Sequence, residues 1–117
     1  MRIGPVDTSV GLYFRADNRL AMVTLDFPSQ AYEAMREIFI DRYGPPTERL
    51  EEPVQTRGGG QFTNELLRWE GTTAAVSIRR FEGSTIRTGR AVIQTAADRA
   101  AEVARMRELM KRGKGDL

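Results

Sequence analysis

The side chains best equipped for chemistry in this sequence are its arginines: apart from Lys111 and Lys114, every one of the 18 basic residues is Arg. That bias reads first as the mark of a GC-rich coding sequence; any chemistry the guanidinium groups carry is anion recognition. Arg68, Arg79 and Arg90 fall on three successive predicted strands and come together on one face if the register allows, giving an exposed arginine cluster. Arg80, Arg87, Arg105, Lys111 and Arg112 extend the basic character. Residues 79–117 hold 10 basic and 5 acidic side chains, against 8 and 11 in residues 1–78. A patch of that sign attracts nucleic acid, an anionic lipid surface or an acidic protein. The plain alternative is a solvated surface without a partner.

Other chemistries are cut back by absence. The chain has no cysteine and no histidine, which removes disulfides, thiolate nucleophiles, Ser-His and Cys-His pairs and the commonest metal ligand. An enzyme would have to run on carboxylates, Lys, Tyr or Arg, and no catalytic motif gathers them. Glu37 and Asp41 are helical i, i+4 neighbours, as a solvated helix face also requires. Glu48, Glu51 and Glu52 match no calcium-loop spacing. The run Gly58-Gly59-Gly60 could form a phosphate nest but lacks the GK[ST] that would follow it. No cofactor or metal is expected. Tyr32, Phe39 and Trp69 could line a pocket between helix and sheet, although filled core is the default role of such aromatics.

The elements that must position these residues are legible from periodicity. Residues 9–27 alternate as a hairpin, with Val10, Leu12 and Phe14 on one face of the first strand, Val23, Leu25 and Phe27 on that of the second, and Asp17-Asn18 in the turn. Tyr13, Leu20 and Met22 point the other way. Residues 27–46 predict an amphipathic helix: Ser29 as N-cap, an apolar stripe of Tyr32, Met35, Phe39 and Tyr43 with Ile38 beside it, then Gly44-Pro45-Pro46 as the stop. A flexible loop is expected over about 45–61, part of which can pair as strands across the glycine run, with Val54 and Phe62 inward. A three-strand meander follows at about 65–70, 74–81 and 86–95, its turns at Glu70-Gly71-Thr72-Thr73 and Glu82-Gly83-Ser84-Thr85. Residues 96–112 predict an alanine-rich helix with Ala96, Ala100, Val103, Met106 and Met110 as a small-residue stripe, and a frayed tail from about 113.

This order predicts an α+β two-layer sandwich: one domain over residues 1–117, an antiparallel sheet made of the N-terminal hairpin and the meander, and both helices on one face. The hairpin, a helix ending in Tyr43-Gly44-Pro45-Pro46, a variable loop and Leu67-Arg68-Trp69 opening a meander resemble small uncharacterised bacterial domains found in envelope proteins and lipoproteins. The resemblance covers about residues 10–95 and speaks to fold more than to function. Such domains commonly begin with a further helix and a lipidated signal, and neither is readable here. MRIGPVDTSVGLYF lacks the apolar block of a signal peptide, and no apolar run reaches the roughly 20 residues of a spanning helix. The expectation is a cytoplasmic chain as it stands, or a periplasmic or envelope one if a signal has been removed. The functional expectation is a non-catalytic module that binds a protein partner or itself as a homodimer. The alternative is weak nucleic-acid or anionic-surface binding through the basic C-terminal third.

Overall fold

The computed structural model describes residues 1–83 and 85–115. Eight strands and two helices follow the order β1 (Arg2–Ile3), β2 (Val6–Asp7), β3 (Ser9–Phe14), β4 (Leu20–Pro28), α1 (Tyr32–Tyr43), β5 (Glu48–Gln55), β6 (Gln61–Glu70), β7 (Ala74–Arg79), β8 (Thr88–Thr95) and α2 (Ala96–Gly115). β3 to β8 form one antiparallel sheet in the order β3-β4-β8-β7-β6-β5, which leaves β3 and β5 as its edges. The meander is therefore inserted beside the hairpin through the pairing of β4 with β8.

Cross-strand register sorts the side chains into two faces. Leu25 lies opposite Ala91, Ala91 opposite Ile78, Ile78 opposite Leu67, and Val76 opposite Trp69, so one face is apolar from β4 through β6. Tyr32, Met35 and Phe39 of α1 close over that face and are buried with it. Phe27, Met35, Leu67 and Ile78 are the largest fully buried side chains, each contributing roughly 1.5–3 kcal/mol of transfer free energy. At the N-terminus, a turn with Gly4 at φ 56° folds β1 onto β2 and sends Val6 into the same core. Alternation in the sequence does not reveal this small sheet, because two-residue strands carry no period.

α1 stops where Gly44 takes φ 81° and its N–H donates to the Ile40 carbonyl. Its start differs from expectation. Ser29 begins a single 3-10 turn, Ser29–Ala31, and its hydroxyl donates to the Ile86 carbonyl at 2.6 Å, so the side chain anchors the approach to β8 and caps no helix. The flexible loop expected over 45–61 is mostly strand: β5 and β6 pair from Glu48 opposite Arg68 to Gln55 opposite Gln61, and the glycines form the hairpin tip. Val54 and Phe62 pair there, with Phe62 well exposed.

The two helices do not share a face. Gln94 and Glu70 lie on the side of the sheet opposite α1, and there Gln94 donates to Glu102 at 3.3 Å while Arg99 meets Glu70 at 3.7 Å. α2 meets the sheet through its first turns, at Arg99 and Glu102, while residues 104–112 are exposed. Of the expected stripe, Ala96 and Val103 are half-buried, whereas Ala100, Met106 and Met110 are exposed, together with Leu109. An interior glycine costs a helix about 1 kcal/mol without breaking it, and α2 runs through Gly113 to Gly115; Ser84 of the expected turn and Asp116 and Leu117 of the expected tail lie outside the described residues. With a helix projecting, the radius of gyration is 15.7 Å, against about 13 Å for a compact chain of this length.

Candidate functional site

The sheet face left free by α1 brings together Arg68, Arg79 and Arg90. Arg79 on β7 lies directly opposite Arg90 on β8, and Arg68 on β6 sits opposite Ser77, one diagonal step away. Like charges directly opposite across strands are destabilising, and two of the three are offset locally. Arg90 makes a two-pronged contact with its β4 neighbour Asp26, Nε to Oδ1 at 2.7 Å and Nη2 to Oδ2 at 3.1 Å, and meets Glu82 at 3.7 Å. The hydrogen bond to Asp26 holds its guanidinium above the ordinary arginine range. Arg68 has a looser pairing with Glu48 at 3.7 Å.

Arg79 is different. Among the described residues no carboxylate lies within ion-pair distance of it, although the side chain is half-buried; Glu52 and Glu102 act on it from further away. Burial, then the charges of Arg68 and Arg90, push its pKa below the ordinary arginine value. It borders a cavity of about 140 Å³ shared with Arg68, Ser77, Met22, Arg99 and Glu102. Arg99 and Glu102 come from α2, which roofs one end of the face.

The remaining sequence candidates do not join this cluster. Arg80 stacks over Phe81, 5.1 Å from the ring centre, and with Arg87 lines a shallow groove beside Phe62 at the end of the sheet away from α2. Arg105, Lys111 and Arg112 lie along the exposed part of α2, where Arg112 pairs with Glu108 at 3.8 Å. The basic third is thus divided among three places. Tyr32, Phe39 and Trp69 are all buried in the core beneath α1. The Phe39 and Trp69 rings lie 6.2 Å apart, and Trp69 Nε1 donates to the Gly44 carbonyl at 2.8 Å.

One carboxylate that sequence reasoning missed is Glu65. Its Oε1 accepts from the Tyr32 hydroxyl at 2.6 Å and Arg36 Nε at 2.8 Å, and its Oε2 from Arg49 Nε at 3.0 Å. Burial raises the carboxyl pKa, but the bonds from Tyr32, Arg49 and Arg36 together outweigh it and hold the value below the usual range. Tyr32 is pushed well above the ordinary phenol range, first by burial and then by its bond to Glu65. An ionised acceptor with both oxygens occupied and a phenol that keeps its proton form a clamp between α1, β5 and β6, with no group free for acid or base catalysis. Glu48 and Glu52 lie on one face of β5 and Glu51 on the other, and among the described residues no group of three or more carboxylates is gathered as a metal site would need.

The second feature is the β3 edge. Val10, Leu12, Tyr13 and Phe14 are 42%, 55%, 52% and 60% exposed, and Leu20 beside them is 46% exposed. Val10 and Leu12 share a sheet face with their partners Leu25 and Val23, which belong to or pack against the core, yet they reach water. β3, Ser9–Phe14, carries no charge and no proline, whereas the opposite edge, β5, carries Glu48, Glu51, Glu52 and Pro53. No helix among the described residues is long and apolar enough to cross a membrane. Comparison with protein-family models, curated proteins and solved structures returned no match.

Proposed function

We propose that this chain is a non-catalytic self-association module in which β3 pairs antiparallel with β3 of a second copy. The observation that carries the reading is the uncharged, apolar, unpaired edge. Such an edge offers a row of backbone donors and acceptors to another strand, and proteins that do not use one blunt it with charge or proline. β5 is blunted in that way and β3 is not. A symmetric pairing also suits β3 because it sets no like charges against each other and brings Val10 and Leu12 of each copy together.

Binding of nucleic acid or an anionic surface by the basic third has less support, since its arginines are divided among three places and several already have carboxylate partners. The test is light scattering over a range of concentrations. Particle mass is expected to rise above that of one chain. Leu12→Lys, which sets a charge on the edge, is expected to keep the mass at one chain, while Leu50→Lys on β5 leaves association intact. A wild-type mass that stays at one chain at the highest concentration overturns the proposal.

A further inference from the structure

The geometry points to a binding site for a small organic monocarboxylate in the cavity around Arg79. Three observations converge, all independent of the β3 edge. The first is charge: Arg68 has Glu48 and Arg99 has Glu70 and Glu102, each at 3.7 Å, while among the described residues no carboxylate lies within ion-pair distance of Arg79. Among the residues that line the cavity itself, Arg68, Arg79 and Arg99 stand against Glu70 and Glu102, an excess of one positive charge. That suits a monoanion and disfavours a polyphosphate or a nucleic-acid backbone, which the nearby Glu70 and Glu102 would repel.

The second is donor geometry. A guanidinium recognises a carboxylate through two parallel N–H···O bonds, a match that a point charge cannot reproduce. The pairings of Arg68 and Arg99 at 3.7 Å are longer than hydrogen bonds, so these side chains can turn toward an incoming carboxylate at little cost. Ser77 adds a hydroxyl on the strand face, two residues before Arg79.

The third is shape and lining. A cavity of about 140 Å³ accepts a few heavy atoms, and Met22, Ala75 and Val92 supply apolar wall. A short alkyl tail fits this lining, while the first turns of α2 close one end to a longer chain. Recognition would thus combine one fork-to-carboxylate contact with a small apolar contact.

The experiment follows arginine side-chain Nε–Hε resonances of the full chain by NMR during titration with sodium butyrate, sodium phosphate or sodium chloride at equal ionic strength. The Arg79 resonance is expected to shift saturably with butyrate, with Arg87 unmoved. Phosphate is expected to bind more weakly and chloride to give no saturation. Arg79→Gln is expected to weaken butyrate binding about tenfold or more, as loss of a charge-assisted pair implies, and Arg79→Lys to recover it only in part. The proposal is overturned by a linear response equal to that of chloride, by tighter binding of phosphate than of butyrate, or by unchanged affinity in Arg79→Gln. Should the variant fail to fold, the wild-type Arg79 resonance still decides.

Discussion

At the scale of single residues, Glu65 and Arg79 show opposite treatments of charge. Glu65 is ringed by three donors and so is stabilised in its ionised form. Its folded-state pKa lies below the ordinary value of 4.5, so its contribution is fully present above that pH and is lost as pH falls through the lower folded value. Glu65→Gln keeps an acceptor but removes the charge. It is expected to cost roughly 1–3 kcal/mol at neutral pH and to flatten the loss of stability on acidification, read as the difference between urea midpoints at neutral and acid pH. An equally steep acid dependence in the variant would place the linkage elsewhere, Asp98 being another carboxyl lowered by its partners, Arg15 first. Arg79 faces Arg90 across the strands and receives no comparable support. Neither situation can be read from residue order, since the spacing of Tyr32, Arg36, Arg49 and Glu65 says nothing until β5, β6 and α1 are brought together.

At the scale of elements, local stop and turn signals were the legible part. Gly44-Pro45-Pro46 ends α1 because a positive φ and a missing N–H act within one turn of chain, and Asp17-Asn18 sets the first hairpin, with Asn18 at φ 66°. Thr95-Ala-Ala-Asp98 was equally readable as a capping box and was missed: Thr95 Oγ1 accepts from the Asp98 N–H at 3.1 Å, and Arg15 then reaches Asp98 at 2.5 Å to tie α2 to the end of β3. What sequence could not give is which faces are covered, because alternation shows that two faces differ and not how far a helix extends over them. Packing between elements is tight where α1 does reach. The ring of Phe27 lies over Gly89, where an added Cβ would stand 2.4 Å from the ring and 2.9 Å from the Arg80 carbonyl oxygen. Gly89→Ala must therefore displace a buried ring or the backbone, and is expected to lower stability by about 1–3 kcal/mol in denaturant unfolding. No change in the midpoint would mean that β4 and β8 separate more easily than this packing implies.

At the scale of the whole molecule, the α+β class and an antiparallel sheet with two helices follow from the order of elements, whereas the layer arrangement does not. A helix joined directly to β8 can leave on either side of the sheet, and Gln94 and Glu70 draw α2 to the side away from α1. That choice roofs the arginine face, so the candidate site was legible as residue types but not as an enclosure. The asymmetry of the two sheet margins, apolar at β3 and acidic with a proline at β5, sets a limit on growth. Once two copies join through β3, each outer margin of the doubled sheet is a β5, which offers no strand-to-strand welcome. Scattered mass should then rise with concentration and level off at twice the chain mass; continued increase would show that β5 also pairs. In the proposed pairing, one blunted margin would make the assembly self-limiting, a closed pair in place of an open fibre.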